Sequence, residues 1–505
     1  MYQNTTKFLG CAFATAVVAS AAMLGTAPAR ADEIVNVEYV HKYIKQKWDI
    51  DIPYSPNLYS EKEAANMKYL LTLVDIANYK LNGEHTSHYG DDETYATQEA
   101  ADTVATIKAV DTLIKQLEKP CPENHFCVRP ATNTNTFYFK IAATGNFTVD
   151  WGDGQTQTIN KTDLVNTSYS HTYTDAASNY EVILGGKATN YTSDIYTGDV
   201  QFFTDGAKDD TWKIKNMRGC IGCIFSTLDD GRQPKFYRSF EANTDLKTIP
   251  ETLFNGINGA PALRIFFDTF KDCTGLTSIP ENLFAGVQGA PAERMFFQTF
   301  FNCTGLTGPI PENLFAGIKG APASYMYWHT FSGCKNLTGS IPEKLFAGIE
   351  GAPATYAFSG LFNGCSRLTG EIPENLFAGV RGMPYIDVFS DTFNGCSGLT
   401  GSIPEKLFAG LEGAPTSYLF QRTFKNCSGL TGEIPENLFA GLTPTAPYRT
   451  YVFQETFAGC TGLTGETPKI GGKKLWEIWT PSSVQGTFQG DTKLTDYSSI
   501  PDLWK

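Results

Sequence analysis

"GSIPEKLFAGIEGAP", residues 339–353, comes back as "GSIPEKLFAGLEGAP" at residues 401–415, and close variants fill the chain between and around them. One position marks the period: cysteine recurs there every 30 to 33 residues, with Asn243 ahead of the series and Asp491 behind it. A fixed period of about 20–50 residues is typical of arrays in which each repeat packs on its neighbours. The members of the series are Asn243, Cys273, Cys303, Cys334, Cys365, Cys396, Cys427, Cys460 and Asp491.

The repeated phrase predicts a short helix. Pro342 stands where the first turn of a helix tolerates proline, and Glu343 follows where a negative charge is favourable. Gly348 then ends the segment. The preceding "LTGSI" (337–341) is the strand candidate, with its leucine and isoleucine directed inward.

A second short helix is predicted from paired aromatics. Phe358 and Phe362 are four residues apart, and most repeats carry such a pair with a polar residue midway, as at Asp268, Gln298, His329 and Asp391. Strict alternation would place those polar residues on the same strand face as the phenylalanines, whereas helical spacing separates them. One short strand and helical return segments in each repeat predict a leucine-rich-repeat-like α/β solenoid over residues 236–500, after a degenerate repeat or N-terminal cap at 206–235.

The recurring cysteines are predicted to be structural. A small buried side chain at a turn satisfies backbone groups that the curve leaves unpaired, and Asn243 and Asp491 fit that role at the two ends. Side chains stacked in parallel are poorly placed for disulfide geometry, so the repeat thiols are expected to be free and buried. Cys121 and Cys127 are the first disulfide candidates, and Cys220 with Cys223 a second. Zinc is disfavoured at the second pair because no further ligand pair lies nearby in the sequence.

The motif "TFxxCxxLTxxIPxxLF" resembles the leucine-rich repeats of BspA-type bacterial surface proteins, in which an aromatic, a cysteine and a leucine recur similarly. The resemblance covers roughly residues 236–500. The chain departs from the family pattern by its "FAGxxGAP" extension, which lengthens the period. The resemblance implies exposure at a cell surface and an adhesive or protein-binding role.

Residues 134–205 have a different pattern. Phe137, Phe139 and Ile141 alternate with polar residues, which is the period of half-buried strands. The motifs "WGDG" (151–154) and "HTY" (171–173) resemble the polycystic-kidney-disease (PKD) β-sandwich domain. That resemblance implies a spacer or recognition module, since such domains accompany other extracellular domains.

Two interpretations of the polar residues in this segment are weighed. Asp150, Asp153 and His171 are candidates for a metal or catalytic site. The structural alternative has Asp153 closing a turn through its side chain and His171 packing beside the sandwich, and this interpretation is favoured.

The N-terminal part predicts export. Residues 1–31 have a lysine ahead of an apolar run and "ARA" before Asp32, which is typical of a cleaved signal peptide. A lipoprotein signal at Cys11 is disfavoured because no apolar stretch precedes that cysteine. Residues 32–119 predict a small helical region, interpreted as a bundle or as a dock for an envelope partner, and residues 120–133 a linker. No other stretch approaches the roughly 18 apolar residues of a transmembrane helix.

Charge and motifs disfavour several functions. The formal net charge is −13 and no basic run offsets it, so nucleic-acid binding is not expected. No nucleophile–base–orienter set, P-loop or dinucleotide fingerprint is recognised, and neither catalytic residues nor cofactors are predicted. A row of glutamates follows the repeat prolines and predicts a solvated acidic ladder. Calcium sites are the alternative, but one glutamate per repeat supplies too few oxygens.

The sequence therefore predicts an exported, cell-surface or extracellular, non-enzymatic binding protein whose repeats contact protein or glycan; a periplasmic location is also consistent with export. The alternatives are a structural envelope scaffold and, less favoured, a carbohydrate-active enzyme that uses two spaced carboxylates.

Overall fold

The computed structural model describes residues 121–131, 135–177, 180–202, 213–443, 450–479 and 484–505. The predicted signal peptide (1–31) and helical region (32–119) lie outside the described residues. The chain divides into two compact units, Met1–Pro120 and Cys121–Lys505, and all that follows concerns the second unit.

Two antiparallel sheets form the first part of this unit. Inward-facing Phe137, Phe139 and Ile141 are buried while the residues between them are half-exposed, which is the pattern of a strand with one face on a core. The strands are β1 (Phe126–Pro130), β2 (Thr136–Ile141), β3 (Thr144–Asp150), β4 (Thr156–Lys161), β5 (Thr167–Thr172), β6 (Val182–Asn190), β7 (Val200–Gln201) and β8 (Ile214–Gly219). Their orders are β4-β3-β6-β1-β8 and β5-β2-β7, so the sheets also take in β1 and β8, outside the predicted range of 134–205.

Beyond residue 220 the fold is a stack of repeats built from turns. Successive backbone N–H groups donate alternately to the next repeat and within their own repeat. The N–H of Phe266 donates to the carbonyl of Met295 in the next repeat (3.0 Å), and that of Asp268 to the carbonyl of Phe297 (2.9 Å). The N–H of Phe267, which lies between them, donates back to the carbonyl of Arg264 within its own repeat (3.3 Å). In this segment, from Arg264 to Asp272, turns close each repeat and every second amide joins it to its neighbour.

The turns have a period of four residues. Asp268 and the residues four positions to either side of it have positive φ, at 60°, 52° and 59°. The side chains of Phe266, Thr269, Phe270 and Cys273 are fully buried, so adjacent pairs of inward residues recur every four positions. Helix α1 (Ile221–Ile224) opens the stack. The remaining short elements are β9 (Gly432–Glu433), β10 (Leu463–Thr464), β11 (Lys469–Ile470), β12 (Lys473–Lys474) and 3₁₀ turns at Leu475–Glu477, Tyr497–Ser499 and Asp502–Trp504.

The predicted fold class, with a leucine-rich-repeat-like α/β solenoid, is wrong. In the described residues the only α-helix is α1, and the repeats contain neither the predicted helices nor a closed coil of stacked strands. Leu337 and Ile341 are buried, but their segment is not a strand. Where parallel pairing occurs it is a single bridge, such as Gly259 with Val287, or the two-residue pair of β9 and β10. A four-residue turn period is close enough to 3.6 over ten residues to imitate a short helix.

The sheets and the stack share one continuous core. The ring of Phe240, in the first repeat, lies 6.0 Å from that of Phe126 in β1 and 5.7 Å from that of Phe202. Across the same boundary the backbone N–H of Ile214 donates to Oδ1 of Asn243 (2.6 Å). The sheets therefore cover the open end of the stack instead of forming a detached spacer.

Candidate functional site

The recurring cysteines form one hydrogen-bonded row through the stack. Each thiol donates to a phenylalanine carbonyl of the preceding repeat, as Cys365 does to Phe331 (3.1 Å) and Cys396 to Phe362 (3.1 Å). Burial raises the pKa of these thiols, to about 12 at Cys396. The row, called here the cysteine row, is free of disulfides and consists of Cys273, Cys303, Cys334, Cys365, Cys396, Cys427 and Cys460.

The two ends of the cysteine row carry other residues. Asn243 replaces the first thiol, and its Nδ2 donates to the carbonyls of Phe202 (3.0 Å) and Phe240 (2.9 Å). Asp491 occupies the last position, fully buried, with no hydrogen-bond partner for either carboxyl oxygen among the described residues. Desolvation raises the pKa of Asp491 to about 8. The cysteine row therefore serves the packing of the repeats and offers no accessible reactive group. Its last member, Asp491, is a buried carboxyl that can titrate.

Two disulfides lie where the sheets meet the stack. Cys121 is bonded to Cys127, and Cys220 to Cys223 across α1. The backbone N–H of Cys220 donates to the carbonyl of His125 (2.8 Å), within the loop that the first disulfide closes. Both bonds therefore brace the same junction.

Asp153 and His171 do meet, but in a packed turn. His171 Nε2 lies 2.8 Å from Asp153 Oδ2, and the imidazole stacks on Trp151 at 5.1 Å. The other oxygen of Asp153 accepts from the N–H of Gln155 (3.0 Å), while Asp150 accepts from Gly152 (2.9 Å). Each carboxylate is thus engaged in closing the turn, as the structural interpretation requires. In the described part of the chain no group of three or more metal-ligating side chains occurs.

A feature that the sequence reasoning missed is a column of half-exposed rings along one side of the stack. Tyr237, Phe267, Phe297 and Trp328 occupy equivalent positions in four consecutive repeats. Their ring centroids follow one another at 4.9, 4.1 and 4.4 Å. Each is the residue after a buried aromatic, so the doublets "FY", "FF", "FF" and "YW" were the available signal.

A second column runs beside the first, three residues earlier in each repeat. The guanidinium of Arg294 lies 4.5 Å from the ring centroid of Tyr325, which stacks on Tyr356 at 4.6 Å. Arg264 begins this column, with its guanidinium over the ring of Tyr196 (4.4 Å) and near that of Phe267 (5.4 Å). The two columns together are called the aromatic face: Tyr237, Phe267, Phe297 and Trp328, with Arg264, Arg294, Tyr325 and Tyr356.

The aromatic face ends in polar residues. Beyond Trp328 the first column continues with Ser359 and Ser390, and beyond Tyr356 the second continues with Asp387. Next to this end lies a small apolar patch, where Met383 is 59% and Tyr385 58% exposed. The stack thus offers one long aromatic stretch over its early repeats and one local patch after it. The second column then resumes with Tyr418 and Tyr451, whose rings stack at 5.2 Å.

The glutamate row lies on the exposed surface and is cross-linked between repeats. Lys406 Nζ lies 3.0 Å from Glu374 of the preceding repeat, and Asn375 Nδ2 donates to Glu343 (3.3 Å). From residue 313 to residue 437 asparagine and lysine alternate at this position. Their side chains contact the glutamate of the preceding repeat at Glu281, Glu312, Glu343 and Glu374. Exposed pairs of this kind contribute roughly 0–1 kcal/mol to stability. Single glutamates with such partners do not assemble the oxygen cage that calcium needs.

No described helix is long and apolar enough to cross a membrane.

A scan against protein-family models finds no match for this chain, and searches of curated proteins and of solved structures find none either. The resemblances to BspA-type repeats and to PKD domains therefore stay predictions from the motifs.

Proposed function

We propose that this protein is exported and acts as a non-enzymatic binding protein, with the aromatic face as its contact surface. The observation that carries the proposal is the run of half-exposed rings across consecutive repeats, at ring-centroid steps of 4.1 to 4.9 Å, with the partly exposed Arg294 beside it. Tyrosine, tryptophan and arginine are the side chains most enriched at binding hot spots.

The repeated geometry supports an extended ligand. Equivalent side chains in neighbouring repeats present the same weak contact several times, and linked weak contacts add up to useful affinity without a deep pocket. The predicted signal peptide and the two disulfides, Cys121–Cys127 and Cys220–Cys223, fit an oxidising compartment outside the cytoplasm. Ligands at a cell surface, either protein or glycan, are the proposed partners.

A binding comparison on glycan and protein arrays tests the proposal. The purified chain is compared with a face variant that carries Phe297→Ser and Trp328→Ser. The matched control carries Lys344→Ser and Lys406→Ser, two exposed positions outside the aromatic face. We expect at least one ligand that the native chain and the control retain and the face variant loses by tenfold or more. Unchanged thermal unfolding of both variants shows that they are folded.

Two results would count against the proposal. If every ligand is retained by the face variant, the aromatic face is not the contact surface. If protease treatment of intact cells leaves the repeats uncut while lysed cells are digested, the structural envelope scaffold becomes the better description.

A further inference from the structure

The last repeat of the stack, residues 484–505, keeps the register of the repeats before it. Thr487 Oγ1 donates to the carbonyl of Phe453 (2.8 Å), as Thr456 Oγ1 does to that of Phe420 (2.9 Å). In the preceding repeats the cysteine of the row follows this threonine by four residues, and Asp491 follows Thr487 by the same interval. Asp491 therefore occupies a position at which the other repeats carry a hydrogen-bond donor.

The carbonyl that this register assigns to Asp491 has room for a second donor. Each thiol of the cysteine row donates to a phenylalanine three residues before the preceding member, as Cys460 does to Phe424, three residues before Cys427 (2.9 Å). The equivalent acceptor for Asp491 is the carbonyl of Phe457. Among the described residues that carbonyl accepts one hydrogen bond, from the N–H of Cys460 (2.9 Å). Asp491 is fully buried, and neither of its oxygens has a partner there.

A proton on the carboxyl satisfies both groups at once. A carboxylate offers only acceptors and would repel the carbonyl oxygen of Phe457, whereas a carboxylic acid has one O–H donor. The other members of the series also donate, the cysteines through S–H and Asn243 through its amide. We infer that Asp491 is a neutral acid that donates to the carbonyl of Phe457, and that this proton holds the last repeat onto the repeat before it.

The charges around Asp491 favour the neutral acid. In the described part of the chain no lysine, arginine or histidine forms an ion pair with it. The titratable group that faces it from the preceding repeat is the thiol of Cys460, whose pKa is raised by burial, so that the thiol is neutral. Asp496 of the last repeat is paired with Lys474 (2.6 Å), and Lys493 is exposed.

The segment that follows Asp491 supplies no cation either. The N–H of Phe488 donates to the carbonyl of Trp504 (2.8 Å), which places residues 501–505 against the last repeat. Of the two charged side chains in this segment, Asp502 is exposed and Lys505 lies over the ring of Tyr497 (5.2 Å). Desolvation without a compensating positive charge raises the pKa of Asp491 to about 8.

Loss of the proton should loosen the last repeat and leave the earlier repeats in place. Ionisation leaves a buried charge unpaired beside a carbonyl oxygen, whereas in an opened repeat the carboxylate is hydrated. The opened carboxyl ionises near pH 4 and the buried one near pH 8, so the contact is strongest below about pH 4 and weakens as the pH rises to about 8. The change should stay local because each repeat contacts only its neighbours.

Amide hydrogen exchange of the native chain between pH 5 and pH 8, corrected for the intrinsic effect of pH on exchange, tests the inference. Two matched sets of amides donate to the following repeat: Glu455, Phe457 and Gly459 to the last repeat, and Arg422, Phe424 and Asn426 to the one before it. We expect the protection of the first set to fall roughly tenfold to a hundredfold over this range, while that of the second set is unchanged. In Asp491→Cys, which supplies the donor used in the other repeats, the protection of the first set should not depend on pH. Equal losses in the two sets, or the same pH dependence in Asp491→Cys, would overturn the role of the proton.

A second measurement requires no folded variant with a new donor. Carbon NMR of the aspartate side-chain carboxyls in the native chain, with the Asp491 signal assigned by its disappearance in Asp491→Asn, reports the protonation state directly. We expect Asp491 to be protonated at pH 6, where an exposed aspartate such as Asp245 is ionised. An Asp491 signal that titrates near pH 4 would overturn the assignment of the neutral acid.

Discussion

The sheets of residues 126–219 and the stack of repeats satisfy their buried backbone N–H and carbonyl groups in two different ways. In the sheets, buried amides and carbonyls pair along continuous strands, as in the seven-residue register of β3 with β6. In the stack, the carbonyl of Phe240 accepts the N–H of Asn243 in its own repeat (3.4 Å) and the thiol of Cys273 in the next (2.9 Å). A sheet therefore tolerates any apolar side chain that faces its core, whereas the stack needs side-chain donors at particular core positions.

Threonine is the second such donor. The hydroxyl of Thr269 donates to the carbonyl of Phe236 in the preceding repeat (2.8 Å), and that of Thr299 to Phe266 (2.9 Å). The threonine and the cysteine of "TFxxC" are thus explained by the same need: both satisfy carbonyls that a turn-built repeat leaves with a free lone pair. The comparison between the two regions can be tested at four points.

The largest effect is expected from truncating the core of either region. Phe362→Ala in the stack and Phe137→Ala in the sheets each remove a fully buried ring and should lower the free energy of unfolding by about 3–5 kcal/mol. Denaturant unfolding measures the loss. Hydrogen exchange should separate the regions, because each repeat contacts only its neighbours. Equal loss of amide protection in β1–β8 after Phe362→Ala would contradict that locality.

A smaller loss is expected from Gly360→Ala. Gly360 has a φ of 64°, and an added Cβ would lie 2.3 Å from the imidazole of His329 in the preceding repeat. The left-handed backbone alone costs about 1–2 kcal/mol for a residue with a Cβ, and displacing His329 adds to that. Thermal or denaturant unfolding measures the sum.

Gly364→Ala is the matched control for the same backbone strain. Gly364 has a φ of 77°, but its added Cβ would meet its nearest neighbour at an ordinary 3.7 Å. It should lose only the backbone cost, and His329→Ala combined with Gly360→Ala should remove the excess. Equal losses for the two glycines would show that the contact between repeats is looser than described.

Asp491→Asn should change how stability depends on pH. The pKa of Asp491 in the folded protein is about 8, above the ordinary 3.8, because burial desolvates the carboxylate. The unfolded chain releases this proton first, so stability from this group is full below about pH 4 and falls as pH rises to about 8. Asparagine, which serves at the other end as Asn243, cannot ionise and should flatten that part of the profile.

The measurement is the melting temperature between pH 4 and 9, with Asp245→Asn on the exposed surface as control. A gain of about 1–3 kcal/mol at pH 8 over the native chain is expected, the scale of an unpaired buried polar group. An unchanged slope in Asp491→Asn would mean that the carboxyl finds a partner on ionisation.

The smallest effect is expected in the cysteine row. Cys396→Ala removes the donor to the carbonyl of Phe362 and should cost about 1 kcal/mol, the net value of one hydrogen bond. Cys396→Ser keeps a donor and should recover part of it. A loss in Cys396→Ser as large as in Cys396→Ala would show that the hydrogen bond to the carbonyl of Phe362 contributes little to stability. The native thiols should also resist iodoacetamide until the chain unfolds, since they are buried and their pKa is raised.

Much of the architecture was predictable from local pattern. Alternation at Phe137, Phe139 and Ile141 indicated strands, and the cysteine spacing indicated one structural unit per repeat. The helices predicted inside the repeats were wrong because aromatics four apart, with a polar residue midway, satisfy both a helix and a turn of four residues. The helix and the turn differ in the positive φ at Asp268 and its counterparts. Aspartate, glutamine and histidine at this position do not identify that conformation in a sequence.

The aromatic face was present in the sequence as doublets but not as a surface. Phe267 and Phe297 are thirty residues apart, and only stacking of repeats brings their rings to 4.1 Å. The same holds for Arg264 in the stack, whose guanidinium lies over the ring of Tyr196 in the loop between β6 and β7. Such contacts depend on the register between repeats, which backbone hydrogen bonds set.

The sequence by itself determined the period, the buried side chains and the two kinds of region, because hydrophobic spacing and recurrence are local properties of the chain. Only the tertiary structure decided that the repeats are turns, that the sheets cover their open end, and that half-exposed rings line one side. Those features arise from amides that pair across about thirty residues and from groups of two neighbouring repeats that share one carbonyl, which no short window of sequence contains.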